Sequence, residues 1–240
     1  MTKLGIIGAM QVEVETLVGQ LENKREQKKG GCTFYEGRLQ GLDVVVVQCG
    51  VGKVNGAMCT QMLCDLYQVT HIVNTGVAGS LDPKLDIGDL VVSQDAMYHD
   101  FDCNAVGYPS GKVPGLDVIA FPADDSLVGY AFGAAEQENP GHTSLGRIAT
   151  GDQFVCTSQQ KQHIVEVTKA LCTEMEGAAI AQTAYRNGVP FVILRAISDK
   201  ADHSSQMDYP TFEKIAAHRC ARVTQNLARQ LKEAEELGLN

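Results

Sequence analysis

Four acids stand where extended apolar runs give way to helical ones: Glu13 in GIIGAMQVEVE, Glu174 and Glu176 in CTEMEGAA, and Asp199 in LRAISDKAD. A carboxylate accepts hydrogen bonds only, so the paired hydroxyls of a sugar cis-diol are natural partners for it. A carboxyl held in its acid form can instead protonate a leaving group. In an α/β sheet, ligands gather beyond the carboxyl ends of the strands, which is where a doubly wound arrangement would bring these four together. Each acid also has a plain structural explanation. Glu13 in a first helical turn is stabilised by the helix dipole. Arg195 and Asp199 could form a buried ion pair. Glu174 and Glu176 share a face only if the strand continues through both, because in a helix they diverge by about 200°. Their joint placement at strand-to-helix junctions favours a site.

The glycine-rich turns narrow the chemistry. GIIGAM holds only Gly5 and Gly8 before Ala9, so it is not the G-x-G-x-x-G turn of dinucleotide binders. CGVGKVNGA lacks the frame of a triphosphate-binding loop and has Gln48 near the place where another glycine is needed. In NTGVAGSLDP the small residues make room either for a ligand or for a neighbouring helix.

The elements that must position these residues alternate. Strands are expected at 4–9, 32–39, 43–50, 71–78, 88–99, 146–151, 171–175 and 190–198. Several are continuous apolar runs, as in strands covered on both faces. YEGRLQGLDV reads as an antiparallel hairpin. Helical spacing covers 10–21, 52–67, 124–138, 158–171, 176–188 and 211–237. This order implies an α/β fold with a mostly parallel sheet between helix layers, and residues 1–240 read as one domain. Residues 100–123 lack periodicity, and a loop of that length is usually functional or packed on a partner.

Composition sets outer limits. The formal net charge is −9, which argues against a sequence-independent nucleic-acid binder. The eight cysteines contain no C-x-x-C pair and no zinc-finger spacing, so no metal site is expected. No apolar run approaches the roughly 20 residues of a membrane span. The start, MTKLGIIGAM, reads straight into a strand without a signal region. The expectation is a soluble protein of a reducing cytoplasm, with no membrane or nucleic-acid partner.

In order along the chain, GIIGAM…E, GVGKVNGA, NTGVAGSLDPKLDIGDLVVS, YHDFD, TGDQFV, EMEGAA and RAISDKAD resemble the nucleoside phosphorylase and nucleosidase superfamily. The similarity spans nearly the whole chain. GIIGAM…E with TGDQFV points to the branch that cleaves adenine from 5′-thio-substituted nucleosides such as methylthioadenosine and S-adenosylhomocysteine. The resemblance implies a three-layer α/β/α domain around a twisted mixed sheet, a homodimer, an adenine nucleoside as ligand, and neither metal nor organic cofactor. It also implies roles. Asp199 would be the general acid at N7 of adenine, oriented by Ser198. Val155 would hold the adenine edge through its backbone, and Phe154 would stack on the ring. Glu176 would take the ribose hydroxyls with Met175 against the sugar, and Glu174 would support that site. Glu13 would position and deprotonate water, with Arg195 nearby. Met10, Val51, Val77, Ala78 and Tyr209 would line the pocket, and Cys103, Tyr108 and Pro114 would close the pocket of a partner subunit. Phosphorylases of the superfamily hold phosphate with an arginine and a serine where this chain has Asn74 and Val77, a difference that favours water as nucleophile. Cys103 and Val106 replace larger apolar residues of the inter-subunit pocket. Other readings are a nucleosidase for aminodeoxyfutalosine, a phosphorylase, or a nucleoside-binding storage protein.

Overall fold

The computed structural model describes residues 1–238, without the side chains of Gln206 and Met207. The strands are β1 (Lys3–Gly8), β2 (Glu22–Lys29), β3 (Cys32–Leu39), β4 (Leu42–Gln48), β5 (His71–Ser80), β6 (Leu90–Tyr98), β7 (Phe121–Pro122), β8 (Thr143–Thr150), β9 (Cys172–Glu174) and β10 (Phe191–Asp199). The helices are α1 (Gln11–Gly19), α2 (Lys53–Tyr67), α3 (Asp125–Glu138), α4 (Ser158–Thr168), α5 (Gly177–Asn187) and α6 (Ser205–Glu236).

The apolar runs become strands because helices cover both of their faces. Side chains alternate across a strand. Leu4, Ile6, Val44 and Val46 therefore enter one core with Val14 and Leu17 of α1, Leu127 of α3 and Leu227 of α6. Ile7, Val45 and Val47 enter the other, with Cys59 and Leu63 of α2 and Ile180 of α5. Each fully buried Leu or Ile contributes roughly 1.5–3 kcal/mol relative to exposure. Interiors of this kind admit an ionised group only when it is paired.

Along the sheet the order is β2, β3, β4, β1, β5, β9, β8, β6, β10, and β10 also pairs with β5. Strands β5, β9, β8, β6 and β10 thus close on themselves, while β1, β4, β3 and β2 extend outward. The sheet is mixed. Among the described residues β1–β4, β1–β5, β5–β10, β6–β8 and β8–β9 run parallel. The ladders β2–β3, β3–β4, β5–β9, β6–β7 and β6–β10 run antiparallel. Tight hairpins account for part of this. In the expected one, Leu39 pairs with Leu42 across Gln40 and Gly41, whose φ values of 52° and 79° are those of the primed turns that match strand twist.

The chain departs from its periodicity in three places. β2 is an unexpected strand whose eight residues are all exposed, joined to β3 through Gly30 and Gly31 at φ 56° and 80°. α6 starts at Ser205 rather than 211 and carries Pro210 inside it, although proline reads as a helix breaker. The segment 100–123 holds a 3₁₀ turn at Asn104–Val106 and the short β7. Its Phe101, Val113, Leu116 and Val118 pack on the core beside α2 and α5, and Lys112 Nζ donates to the carbonyls of Val118, at 3.1 Å, and Leu116. Among the described residues no helix is long and apolar enough to cross a membrane.

Candidate active site

The carboxyl ends of β1, β5, β9 and β10 converge on a cavity of about 220 Å³. Of the residues expected in the subunit's own site, only Arg195 is absent from its wall. Ala9, Gly79, Gln153 and Thr173 also line it and were not expected.

Glu13 sits at the third position of α1 and is buried. Its Oε2 accepts from the N–H groups of Ala9 (2.7 Å) and Met10 (2.9 Å), and its Oε1 from that of Val77 (3.0 Å). One carboxylate thereby ties the β1–α1 turn to β5. Burial pushes its pKa up, against the opposing pull of Arg195. Gly76 is glycine for a steric reason: a Cβ there would fall on Glu13 Oε1.

Arg195 lies on β10 beside Gly76 and is 2% exposed. Its ion pair is with Glu174, not Asp199. The guanidinium also donates to the Leu194 carbonyl (2.9 Å) and to the side-chain oxygen of Asn74. Asn74 in turn donates to the Ile7 carbonyl at 2.9 Å. Glu174 is fully engaged. Its Oε1 accepts from the Thr150 hydroxyl, and its Oε2 from the N–H groups of Glu176 (3.1 Å) and Gly177 (2.7 Å) as well as from Arg195. These amides open α5, so Glu174 caps the helix whose unpaired N–H groups need acceptors.

Glu176 has different surroundings. β9 ends at Glu174, and at Glu176 the backbone turns to φ −133°, ψ −33°, which separates the two acids. Its Oε1 accepts from the Gly52 N–H at 2.7 Å. Burial, and next the charge of Glu174, push its pKa up to about 8. A Cβ on Gly56 would lie 3.3 Å from Glu176 Cβ and 3.1 Å from Ile180, so glycine lets α2 pack close to α5 here.

Asp199 is held by neutral donors. Its Oδ2 accepts from the Ser198 hydroxyl (2.9 Å), and its Oδ1 from the Ala201 N–H (2.8 Å) and the Ser205 hydroxyl (2.7 Å). Ser198 Oγ also stands 3.4 Å from the Ala78 carbonyl. Gly79 clears space for this acid, since a Cβ would meet Asp199 Oδ1 at 2.9 Å. Both glycines of NTGVAG therefore make room for a carboxylate. Ser205 was missed, its one sequence signal being a serine six residues after the acid.

Phe154 stands edge-on to Tyr209, with ring centres 5.5 Å apart and planes at 79°. The Tyr209 hydroxyl donates to Glu213 at 2.9 Å. An unanticipated network braces this wall. Lys53 Nζ donates to Asp100 Oδ2 at 2.7 Å, the same oxygen accepts the Asp152 N–H at 2.9 Å, and Asp152 Oδ1 accepts the Lys53 N–H at 2.9 Å. It fastens the loop carrying Gln153, Phe154 and Val155 to the turn that holds Glu176. Cys103, Tyr108 and Pro114 lie outside the cavity wall, and Tyr108 and Pro114 are exposed.

The described lining contains Glu13, Glu174, Glu176 and Asp199 and no Lys, Arg or His. Such a wall offers an anion no cationic side chain. Among the described residues no cluster of His, Cys, Asp or Glu has the arrangement of a metal site.

The phosphorylase superfamily model matches residues 3–229. A 5′-methylthioadenosine/S-adenosylhomocysteine nucleosidase of Geobacillus thermodenitrificans is 41% identical over 222 residues, covering 92% of this chain and 94% of that one. The structure of the Neisseria meningitidis 5′-methylthioadenosine/S-adenosylhomocysteine nucleosidase in complex with methylthio-immucillin-A is similar at a TM-score of 0.93, with 35% identity, over 96% of this chain and 100% of that one. A futalosine hydrolase mutant of Helicobacter pylori is similar at a TM-score of 0.91, with 31% identity, over 96% and 100%. The chain belongs to the phosphorylase superfamily and, within it, to the 5′-methylthioadenosine/S-adenosylhomocysteine nucleosidases.

Proposed function

We propose that this enzyme hydrolyses the N-glycosidic bond of 5′-methylthioadenosine and S-adenosylhomocysteine, releasing adenine and the 5′-thio-substituted ribose. The observation that carries the reading is a cavity with four carboxylates and no basic side chain in its described wall. Departure of the base leaves a ribosyl cation-like centre, and a wall of carboxylates is complementary to that transition state. The same described wall has no cationic side chain to hold a phosphate, so water is the nucleophile.

Asp199 protonates adenine at N7, because the base leaves poorly as an anion and well when neutral. Ser198 and Ser205 hold the acid in place. When the Ser198 hydroxyl swings from Asp199 to the Ala78 carbonyl, Oδ2 is freed to carry the proton. Val155 and Phe154 hold the base, and Glu176 accepts from the ribose hydroxyls with Met175 against the sugar. Glu174, fully engaged by protein donors, supports the sugar site by fixing Arg195 and the start of α5. Glu13 orients and deprotonates the water, and no step needs a metal or organic cofactor. Met10, Val51, Val77, Ala78 and Tyr209 shape the space for sugar and thio substituent. A second copy of the chain supplies Cys103, Tyr108 and Pro114 to the open end, and the exposure of Tyr108 and Pro114 supports this. The working unit we assign is one three-layer α/β/α domain, residues 1–240, in the cytoplasm.

Incubation with methylthioadenosine, with and without phosphate, tests the reading. Adenine and free methylthioribose are expected in both buffers. A sugar 1-phosphate formed only with phosphate overturns it, and cleavage of aminodeoxyfutalosine in preference to methylthioadenosine transfers the assignment to that substrate.

A further inference from the structure

Away from the catalytic cavity, a cleft of about 480 Å³ opens between α6 and the chain joining β5 to β6. Phe212, Ile215, Ala216 and Arg219 line it from α6, at the spacing of one helical face, and Gly88 and Lys200 also border it. Ile215 is 60% exposed, and none of these residues lines the catalytic cavity. Arg219 is the unusual member. Among the described residues three arginines, Arg147, Arg195 and Arg219, are buried or half-buried. The first two meet the carboxylates of Asp95 and Glu174. Arg219 meets none among the described residues: its Nη1 donates to the Gly88 carbonyl, and its Nε has no acceptor. Position 88 is glycine for that contact, since a Cβ there would stand 2.7 Å from Nη1. Lys200 is already matched, with Nζ 2.7 Å from Asp86 Oδ1.

The geometry points to a second binding site in this cleft, for a small organic monocarboxylate that carries an apolar group. With Nη1 held by Gly88, the guanidinium keeps the edge formed by Nε and Nη2. Two parallel N–H groups on that edge fit the two oxygens of a carboxylate. A buried donor without an acceptor is costly, and such a ligand removes the cost. The contact to Gly88 does not by itself account for an arginine, because a neutral donor would reach that carbonyl without bringing an unpaired charge. Lys200 is neutralised by Asp86, so one positive charge is left to balance. That charge matches one carboxylate, and the Asp86 carboxylate opposes a dianion. Phe212 and Ile215 supply apolar surface for the rest of the ligand, and the cleft has the volume of a small-molecule site.

The site is tested on the full chain by calorimetry with benzoate, phenylacetate and N-acetylphenylalanine, each against its neutral amide, with and without adenine. At least one acid should bind saturably, one per chain, with a Kd on the order of 1 mM. Its amide should bind at least about tenfold more weakly, and adenine should leave the acid in place. Arg219→Gln should abolish the preference for acid over amide while methylthioadenosine is cleaved at the parent's rate. Ile215→Ser, at an exposed position that does not threaten the fold, should weaken acid and amide alike by about threefold. It therefore locates the site even if Arg219→Gln does not fold. Absence of saturable binding by any acid, equal binding of acid and amide, displacement of the acid by adenine, or no response to Ile215→Ser overturns the proposal. So does a folded Arg219→Gln that keeps the acid preference.

Discussion

Around Arg195, three carboxylates share one buried positive charge; around Asp199, one carboxylate meets two serine hydroxyls and a backbone amide. At the first end charge decides. The guanidinium pairs with Glu174, which leaves Glu13 and Glu176 with pKa values raised by burial. At the second end geometry decides, because three neutral donors fix the direction of each oxygen. At the first end burial makes the carboxyls responsive to protons; at the second, two hydroxyls and an amide aim the acid.

Substitutions can separate the two ends. The largest effect is expected for Asp199→Asn. The amide keeps an acceptor for Ala201 and Ser205, and its NH₂ can donate to Ser198, so the fold should hold. The proton donor is lost, and kcat for methylthioadenosine should fall about 10²–10⁴-fold while calorimetry still detects nucleoside binding. An unchanged kcat removes Asp199 from the acid's role. Arg195→Met should act on folding instead. It leaves Glu174 buried without its cation, at a cost of about 3–5 kcal/mol in denaturant unfolding. A loss below about 1 kcal/mol would mean that the amides and Thr150 suffice for Glu174.

The proton-responsive end has its own signature. With a folded pKa of about 8 against an ordinary 4.5, Glu176 keeps in the folded chain, between those values, a proton that the unfolded chain has lost. Its contribution to stability therefore falls as pH rises through that window. A ribose ligand that needs the carboxylate gains over the same rise. Its Kd should tighten by about tenfold per unit from pH 6 towards 8, with proton release on binding, and Glu176→Gln should flatten the profile. A flat profile in the parent would place the ribose elsewhere. Smaller again is Gly79→Ala, whose Cβ would press on Asp199 Oδ1 and Ala201 and should lower kcat by about tenfold, a 1.4 kcal/mol misplacement of the acid. Gly19→Ala is the control in open space. At the end of α1 it should stabilise by about 0.4–1 kcal/mol and leave kcat unchanged.

What could be read from the sequence follows from how each feature is encoded. β4 and β10 announce themselves as apolar runs, and the β3–β4 hairpin by the glycines at both ends of a short alternating piece. β2 carries no such mark, because a strand exposed on both faces needs no apolar period, and ENKREQKK gives the eye nothing to count. Pro210 conceals the first turns of α6 and with them Ser205. Closure of the strands through β5–β9 and β5–β10 joins residues far apart in sequence, which local pattern does not encode. The acids were legible as a group because junction positions are local facts. Their partners were not: whether Arg195 would pair with Glu174 or Asp199 depends on how β5 seats β9 and β10 relative to each other, which no local pattern records.

The placement of β2 has a consequence for how copies of this chain meet. Strand β10 is paired on both sides, so among the described residues the sheet's long open edge is β2, with Lys24, Arg25, Lys28 and Lys29 interleaved with Glu22 and Glu26. An open edge is a row of unmated backbone donors and acceptors that invites a foreign strand, and charge along it makes such an intruder bury ions without partners. The segment with the least to offer the interior is therefore the one that keeps the sheet from growing beyond its own chain.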